Sequence, residues 1–516
     1  MGFPRRFQAP SDQRVIDAPT PTREKACSMR GITGCRRWLW FVTLSLLFFL
    51  LITAGTGGLQ WTRRIPSDDV DGFVRHLEER LLFLMEKHQI PGVSLALVQD
   101  GQIVWADAFG YADLESGRVL TVDTPMRVQS ISKSVTAWGV LSLYEQRLID
   151  LDAPMARYLK DFSLPPSDFP VEEITIRRLL SHTAGLPLGD VFTIYSPTEE
   201  MPTLQEKLTQ EVVLVRQPGT AFSYSNTGYN LLELLIEEVT GRDFAEYMET
   251  EILRPLGMES SSFTWSAAMT PAPPTGYALN GRPIPTYVYP ERGSGGLLAT
   301  AEDIARFLLA SMGENPVLGK GSIDLMYTPM SDKIGIYGLV FDAYGLGHYL
   351  EILPNGALSI SHGGQGTGIM THFQAVPETG DGFVILTNSQ RSWPLIASLL
   401  REWARWRGFP SVGMERILWG CWGLAGVAAM ILAQSVILLG QLFTSKEIRF
   451  RWLRALAALS LFVLLLWSAD QEYIFLRSVF PIHSVWLWSA TLVFATALLV
   501  SALMPLVKRV RSRMQV

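Results

Sequence analysis

The chain has 516 residues, 48% of them hydrophobic, with 44 basic and 49 acidic side chains and a formal net charge of −5. That apolar content exceeds what one ordinary soluble domain needs, and the acidic balance excludes the basic surface that nucleic-acid binding requires. Seven scattered histidines and three cysteines (Cys27, Cys35 and Cys421) form no ligand spacing, so neither a metal site nor a disulfide framework is expected.

Residues 1–37 are polar and rich in arginine, and are read as a cytoplasmic N-terminal segment. No Asp, Glu, Lys or Arg lies between Arg37 and Arg63, and this run predicts a first transmembrane helix over residues 38–59. The alternative is a cleaved signal peptide, against which stand the long polar flank and the lack of a small-residue cleavage site. Three further runs without those charges predict helices over 417–443, 452–469 and 485–507, the third of the four being the shortest. Arg451 and Arg454 are expected to snorkel toward headgroups there. Basic residues flank the first run, fill the loop from Lys446 to Arg454, and return in the tail 508–516. Positive-inside reasoning puts all three in the cytoplasm, which four crossings satisfy. A multi-pass protein of the cell membrane is expected, with both termini cytoplasmic and residues 66–408 extracytoplasmic. Membrane lipids are expected partners, and a membrane protein docked on the C-terminal helices is a further candidate.

Within residues 66–408, apolar positions at helical spacing (Phe73, Leu77, Leu81, Leu84, Met85) predict a helix that Pro91-Gly92 ends. The runs 93–98 and 103–106, joined by Asp100-Gly101, predict a β-hairpin. Strands are expected again near 336–341, 346–352, 357–361, 369–376 and 383–388, with helical material between, including a start at Thr300 and a tail helix over 394–407. The result is a mixed α/β (α+β) fold, a mostly antiparallel sheet closed by both ends of the domain and flanked by helices, with an all-helical insertion.

Ser130-Ile131-Ser132-Lys133 opens a long apolar helical pattern. Three residues apart on a helix, Ser130 and Lys133 stack on one face, where an amine can take or steer the hydroxyl proton. Tyr224-Ser225-Asn226 lies in a turn-rich stretch, and His362-Gly363-Gly364 follows a short strand-like run. Taken together, these three distant elements are far less probable by chance than any one of them.

In that order and spacing the chain resembles the serine β-lactamase and penicillin-binding protein superfamily, in its class C-like branch. The likeness extends to Leu179-Leu180-Ser181-His182-Thr183-Ala184-Gly185, to Gly293-Ser294-Gly295-Gly296-Leu297 and to Val384-Ile385-Leu386-Thr387-Asn388, and covers roughly residues 70–405. It implies a β-lactamase/transpeptidase-like fold and an enzyme that acylates a serine without a cofactor. Ser130 is then the nucleophile and Lys133 helps deprotonate it. Tyr224 is the general base or proton shuttle, at or near a phenolate under the influence of Lys133. Asn226, Gly364 and Gln365 are substrate-binding positions, with Asn226 also orienting Lys133 and the backbone N–H groups of Ser130 and Gln365 forming the oxyanion hole. His362 stands where the pattern usually has lysine, and is expected to polarise the Tyr224 hydroxyl or to bind a substrate carboxylate, with a structural edge-strand role as the alternative. His182 is expected to be structural. The expected substrate is a small molecule or peptide, with a D-amino-acid peptidase or carboxypeptidase as the leading reading, an esterase or β-lactamase beside it, and a slowly acylated penicillin-type sensor from another functional class.

Overall fold

A computed structural model describes residues 24–55, 69–191, 193–443, 450–471 and 475–514. Residues 1–23, residues 56–59 of the first expected span, residues 66–68 at the start of the expected outer domain, and residues 444–449, with the first part of the basic loop, lie outside the described residues. Chain contacts define two compact units, one of Thr53–Ala425 with Leu464–Ser489, the other of Met1–Ile52, Gly426–Val463 and Ala490–Val516.

The first unit is built on an eight-stranded sheet. Its strands are β1 Gly92–Gln99, β2 Gln102–Asp113, β3 Arg118–Val119, β4 Ala343–Tyr344, β5 Tyr349–Ile352, β6 Leu358–Gly366, β7 Ile369–Val376 and β8 Asp381–Thr387. They lie in the order β3-β2-β1-β8-β7-β6-β5-β4, every neighbour antiparallel. The N-terminal hairpin therefore pairs with the last strand, Val93 opposite Thr387 and Val98 opposite Gly382, so the sheet closes only when both ends of the domain meet.

Period-two alternation divides β1 between two cores. Val93, Leu95 and Leu97 face α1 Val70–His88 and the helix Trp393–Trp406, while Ala96 and Val98 join the core on the opposite face, which holds α2 Ile131–Glu145. Both faces being covered explains why the strand reads as a continuous apolar run. Helix α1 starts on an Asp69 cap, whose carboxylate accepts from the N–H groups of Asp71 and Gly72, and ends on Gln89 in the left-handed region. The insertion contributes α3 Leu204–Glu211 and α4 Asn226–Thr240, and the expected start at Thr300 opens α5 Ala301–Met312, its hydroxyl accepting from the Asp303 N–H. The tail helix, α6, is Trp393–Trp406.

One expected strand is not formed. Residues 336–341 overlap a 3-10 helix, Gly335–Leu339, entered through Gly335 at φ +61°. Its Tyr337 turns inward, 5.5 Å from the Tyr224 ring and 5.4 Å from Tyr349, so an aromatic contact takes the place of a ladder.

Three helices, Gly413–Gly440, Arg451–Asp470 and Pro481–Met504, are long and apolar enough to cross a membrane, and the helix Glu24–Gly55 carries the apolar stretch Leu39–Ala54. In the second unit Arg451 donates to the Ala502 carbonyl at 2.9 and 2.6 Å, and Arg454 to the Ser501 hydroxyl at 3.2 Å. These guanidinium groups find acceptors on a neighbouring helix, where the sequence led us to expect headgroup contact alone.

Leu95 is fully enclosed between the sheet and α1, so Leu95→Ala is expected to cost about 3 kcal/mol, whereas Leu114→Ala on the exposed turn after β2 costs under about 0.5 kcal/mol. Thermal unfolding of the two variants in detergent checks this, and equal effects would mean that the two-sided core is not what holds β1.

Candidate active site

A short antiparallel ribbon, Met126–Arg127 with Leu298–Ala299, leads into α2. Between ribbon and helix Gln129 takes φ +53°, a conformation that costs a non-glycine residue energy and is held by its amide donating to the Tyr287 hydroxyl at 3.0 Å. The turn leaves Ser130 partly open at the first position of α2, with its hydroxyl free of any capping bond.

One helical turn on, Lys133 is wholly buried. Its Nζ lies 2.7 Å from Asn226 Oδ1, 2.7 Å from the Ser294 carbonyl and 3.1 Å from Ser130 Oγ. Burial drives its pKa well below the ordinary lysine range, and no carboxylate is in contact to oppose this. A neutral amine has two hydrogens and one lone pair. Nζ donates to all three acceptors as an ammonium; on losing a proton it keeps two hydrogens for Asn226 and Ser294 and turns a lone pair toward the Ser130 hydroxyl.

Each acceptor is anchored. Asn226 opens α4, where the Ser225 hydroxyl caps the helix by accepting from Gly228 N–H at 2.9 Å, and its own N–H donates to the Leu188 carbonyl. Ser294 belongs to a loop gripped by the fully buried Glu233, which accepts from the N–H groups of Arg292 and Gly293 at 2.6 and 2.7 Å and from Arg292 Nε at 3.0 Å. The Thr136 hydroxyl donates to the Gly293 carbonyl, tying the same loop to α2.

Tyr224 stands over this pair. Lys133 Nζ lies 5.0 Å from its ring centroid, and the Ser130 hydroxyl hydrogen-bonds its phenol. Burial and the neighbouring Tyr337 push the phenol well above its usual range, with the bond to Ser130 a smaller opposing effect. Burial thus opposes the phenolate that the resemblance implies, while the bond to Ser130 favours it. His182 packs 4.4 Å from the Tyr224 ring and accepts the Ser225 N–H at Nδ1, holding the Tyr224-Ser225-Asn226 turn. That is a structural role.

His362 lies behind Tyr224. It sits fully buried on β6, with Nδ1 2.9 Å from the Gly363 carbonyl and Nε2 3.3 Å from the Tyr344 hydroxyl. A carbonyl only accepts, so Nδ1 carries the proton and Nε2 receives the Tyr344 O–H. Burial pushes the ring's pKa well below the ordinary histidine range. Both nitrogens are thus engaged away from the Tyr224 hydroxyl, and a buried neutral imidazole offers no charge to a carboxylate. Its rings pack instead with Tyr344, Tyr349 and Tyr224.

The end of β6 presses against the turn before α2. A Cβ on Gly364 would stand 2.1 Å from the Val128 carbonyl and 2.2 Å from Thr371 Oγ1, so only glycine permits this approach. Gln365 follows, its side chain held by Trp393 Nε1 at 3.1 Å and by its own donation to Ser478 Oγ at 2.9 Å. Ser130, Asn226, Gln365 and Ser294 line one cleft of about 520 Å³. Among the described residues no group of His, Cys, Asp and Glu is arranged to hold a metal ion.

The β-lactamase family model matches residues 73–400, and the chain belongs to that family. It is 26% identical over 349 residues to penicillin-binding protein 4* of Bacillus subtilis (strain 168), covering 63% of this chain and 74% of that one. The solved octameric penicillin-binding protein homologue from Pyrococcus abyssi shares 28% identity with a TM-score of 0.57, over 66% of this chain and 78% of its own. The structure of SurE with D-Leu shares 25% identity with a TM-score of 0.52, over 63% and 74%. The protein is a serine hydrolase of the β-lactamase and penicillin-binding protein type.

The structure thus brings Ser130, Lys133, Tyr224 and Asn226 together, places Gln365 along the same cleft with Gly364 pressed against the turn before Ser130, and sets His362 behind it. Sequence reasoning missed the Ser294 carbonyl, which carries no side-chain signature, and Glu233, whose signal was a carboxylate set among four leucines. Gly364→Ala is expected to push β6 off the Val128–Ser130 turn and to slow fluorophosphonate labelling on the order of a hundredfold, with the fold retained by circular dichroism. Undiminished labelling in the folded variant would show that the close approach is not needed.

Proposed function

We propose that this chain is a membrane-anchored serine hydrolase that forms an acyl-enzyme at Ser130 with amide or ester substrates, and that D-amino-acid-containing peptides are its substrate class. The observation that carries this is the buried Lys133 amine, 3.1 Å from Ser130 Oγ and fixed by Asn226 Oδ1 and the Ser294 carbonyl, whose pKa burial drives well below the ordinary lysine range. Ser130 Oγ attacks the carbonyl carbon while its proton passes to Lys133. The N–H groups of Ser130 and Gln365 receive the oxyanion. As the tetrahedral intermediate collapses, the bond to the leaving amine or alcohol breaks and the proton moves out to it through the Tyr224 hydroxyl. Water then repeats the sequence on the Ser130 ester and releases the acid. Asn226 keeps Lys133 in register and presents its amide nitrogen to the substrate. The substrate class is supported by the relatives, one named for penicillin binding and another solved with D-Leu. A neutral His362, where this superfamily usually has lysine, favours peptide or ester over rapid β-lactam turnover.

Ser130→Ala is expected to abolish covalent labelling by a fluorescent fluorophosphonate in a folded protein. The acylation rate is expected to hold at high pH and to fall as pH drops through the depressed pKa of Lys133, because protonation there removes the base. His362→Gln should leave that limb in place. A limb that moves with His362, or labelling that survives Ser130→Ala, would overturn these roles.

The membrane reading draws on the three apolar helices and on the basic flanks that demand one side. Reporter fusions at the N-terminus, at residue 445 and at the C-terminus are expected to read as cytoplasmic, and one at Ser411 as external. A cytoplasmic reading at Ser411 would reverse the orientation.

A further inference from the structure

The cleft that holds Ser130 has a second wall, which the acylation chemistry does not use. Lys207 and Glu211 come from α3, Asp190 from the loop before it, Asn230 from α4 and Glu291 from the segment before the Ser294 loop. Asp190, Lys207, Asn230 and Glu291 line the same cleft as Ser130. Lys207 Nζ lies 2.9 Å from Asp190 Oδ2, 3.2 Å from Glu211 Oε1 and 3.9 Å from Glu291 Oε1. One ammonium thus faces three carboxylates. Glu211 is engaged again by the Thr227 hydroxyl at 3.1 Å, so the least satisfied carboxylate is that of Glu291, the farthest from Lys207.

Asn230 gives the independent sign of a ligand. It stands one helical turn after Asn226, on the same face of α4, and is only 3% exposed. Its Oδ1 is buried and has no hydrogen-bond partner, on a residue that lines the cleft. A buried acceptor left unpaired keeps its desolvation cost, which a bound donor removes. The wall therefore combines an unsatisfied acceptor with an excess of negative charge in a partly desolvated cleft. Water is a poor match for that combination, and an N–H-bearing cation is a good one. Burial and the nearby Glu211 hold Glu291 up to about 7, so it gains most from a cation placed beside it.

We infer that Asn230, Glu291 and Asp190 form a subsite for a primary ammonium group of the substrate, next to the carbonyl that Ser130 attacks. This rests on the acyl-transfer reading above and narrows it. The enzyme selects substrates that carry a free amine, either the α-ammonium of an N-terminal D-residue or the side-chain ammonium of a diamino acid.

Two matched pairs of thioester substrates test this on the full-length protein in detergent: D-alanyl against N-acetyl-D-alanyl, and N-acetyl-D-lysyl against N-acetyl-D-norleucyl. The readout is the ratio of kcat/KM within each pair, followed by thiol release. The ammonium member is expected to be preferred on the order of thirtyfold in one pair, and that pair identifies which amine is bound. In Glu291→Gln and Asp190→Asn the preference is expected to fall about tenfold each, and in Asn230→Asp to rise. Ratios near one in both pairs for the unmodified protein would overturn the subsite without recourse to any variant, as would a ratio untouched by all three substitutions. Fluorophosphonate labelling of Ser130, run alongside, separates the two levels. Retained labelling with flat ratios removes only the ammonium site, whereas absent labelling removes the acyl-transfer reading beneath it.

Discussion

The site depends on an amine that the fold keeps uncharged. Burying an ammonium without a counter-ion is among the costlier arrangements available to a protein, and here burial drives the Lys133 pKa well below the ordinary lysine range, toward the neutral amine. What remains is a neutral donor of two hydrogen bonds whose acceptors, Asn226 Oδ1 and the Ser294 carbonyl, fix the direction of the lone pair. A positively charged Lys133 would donate to Ser130; a neutral one receives from it. Much of the surrounding structure serves this one geometry. Glu233 and Thr136 hold the loop that offers Ser294, Ser225 caps the helix that offers Asn226, and strain at Gln129 sets Ser130 at the head of the helix that carries Lys133.

The two sides of the cleft differ in electrical character. Behind Tyr224 lies a layer of His182, Tyr344, Tyr349 and His362, all neutral and closely packed, in which burial lowers the histidines and raises the tyrosines. Such a layer keeps proton transfers local, since no group in it stores a charge near neutral pH. The opposite wall, around Lys207, carries more carboxylates than it can pair within itself. Chemistry thus has a neutral backing while recognition has a charged one.

Ser478 adds a connection of another kind. It belongs to the short helix Phe475–Val479, which lies between two of the apolar helices, and its hydroxyl accepts from the Gln365 amide. Trp393, at the start of α6, holds the other end of the same amide. The residue at the mouth of β6 is therefore steadied by a segment far beyond the family's matched region, which stops at residue 400.

Local pattern was enough for much of this protein. Apolar periodicity located α1, Asp100-Gly101 located the first hairpin, charge-free runs located the C-terminal helices, and the order of Ser130-Lys133, Tyr224-Asn226 and His362-Gly364 located the chemistry, because each rests on residues near one another in the chain. Gly335–Leu339 was misread as a strand because its alternation is real but its partner is an aromatic cluster, not a ladder. The protonation states were beyond any motif. The resemblance implies a Tyr224 at or near a phenolate and leaves His362 between polarising Tyr224, binding a carboxylate and a structural role; burial and partners such as Tyr344, on another strand, are what the motif does not carry. The sequence by itself determined the family, the fold class and the elements in which the motif residues lie, since residue type and short-range spacing are local properties. Only the tertiary structure decided which of them are charged, where each proton points and what faces them across the cleft, since desolvation and hydrogen-bond geometry arise only when distant segments pack together.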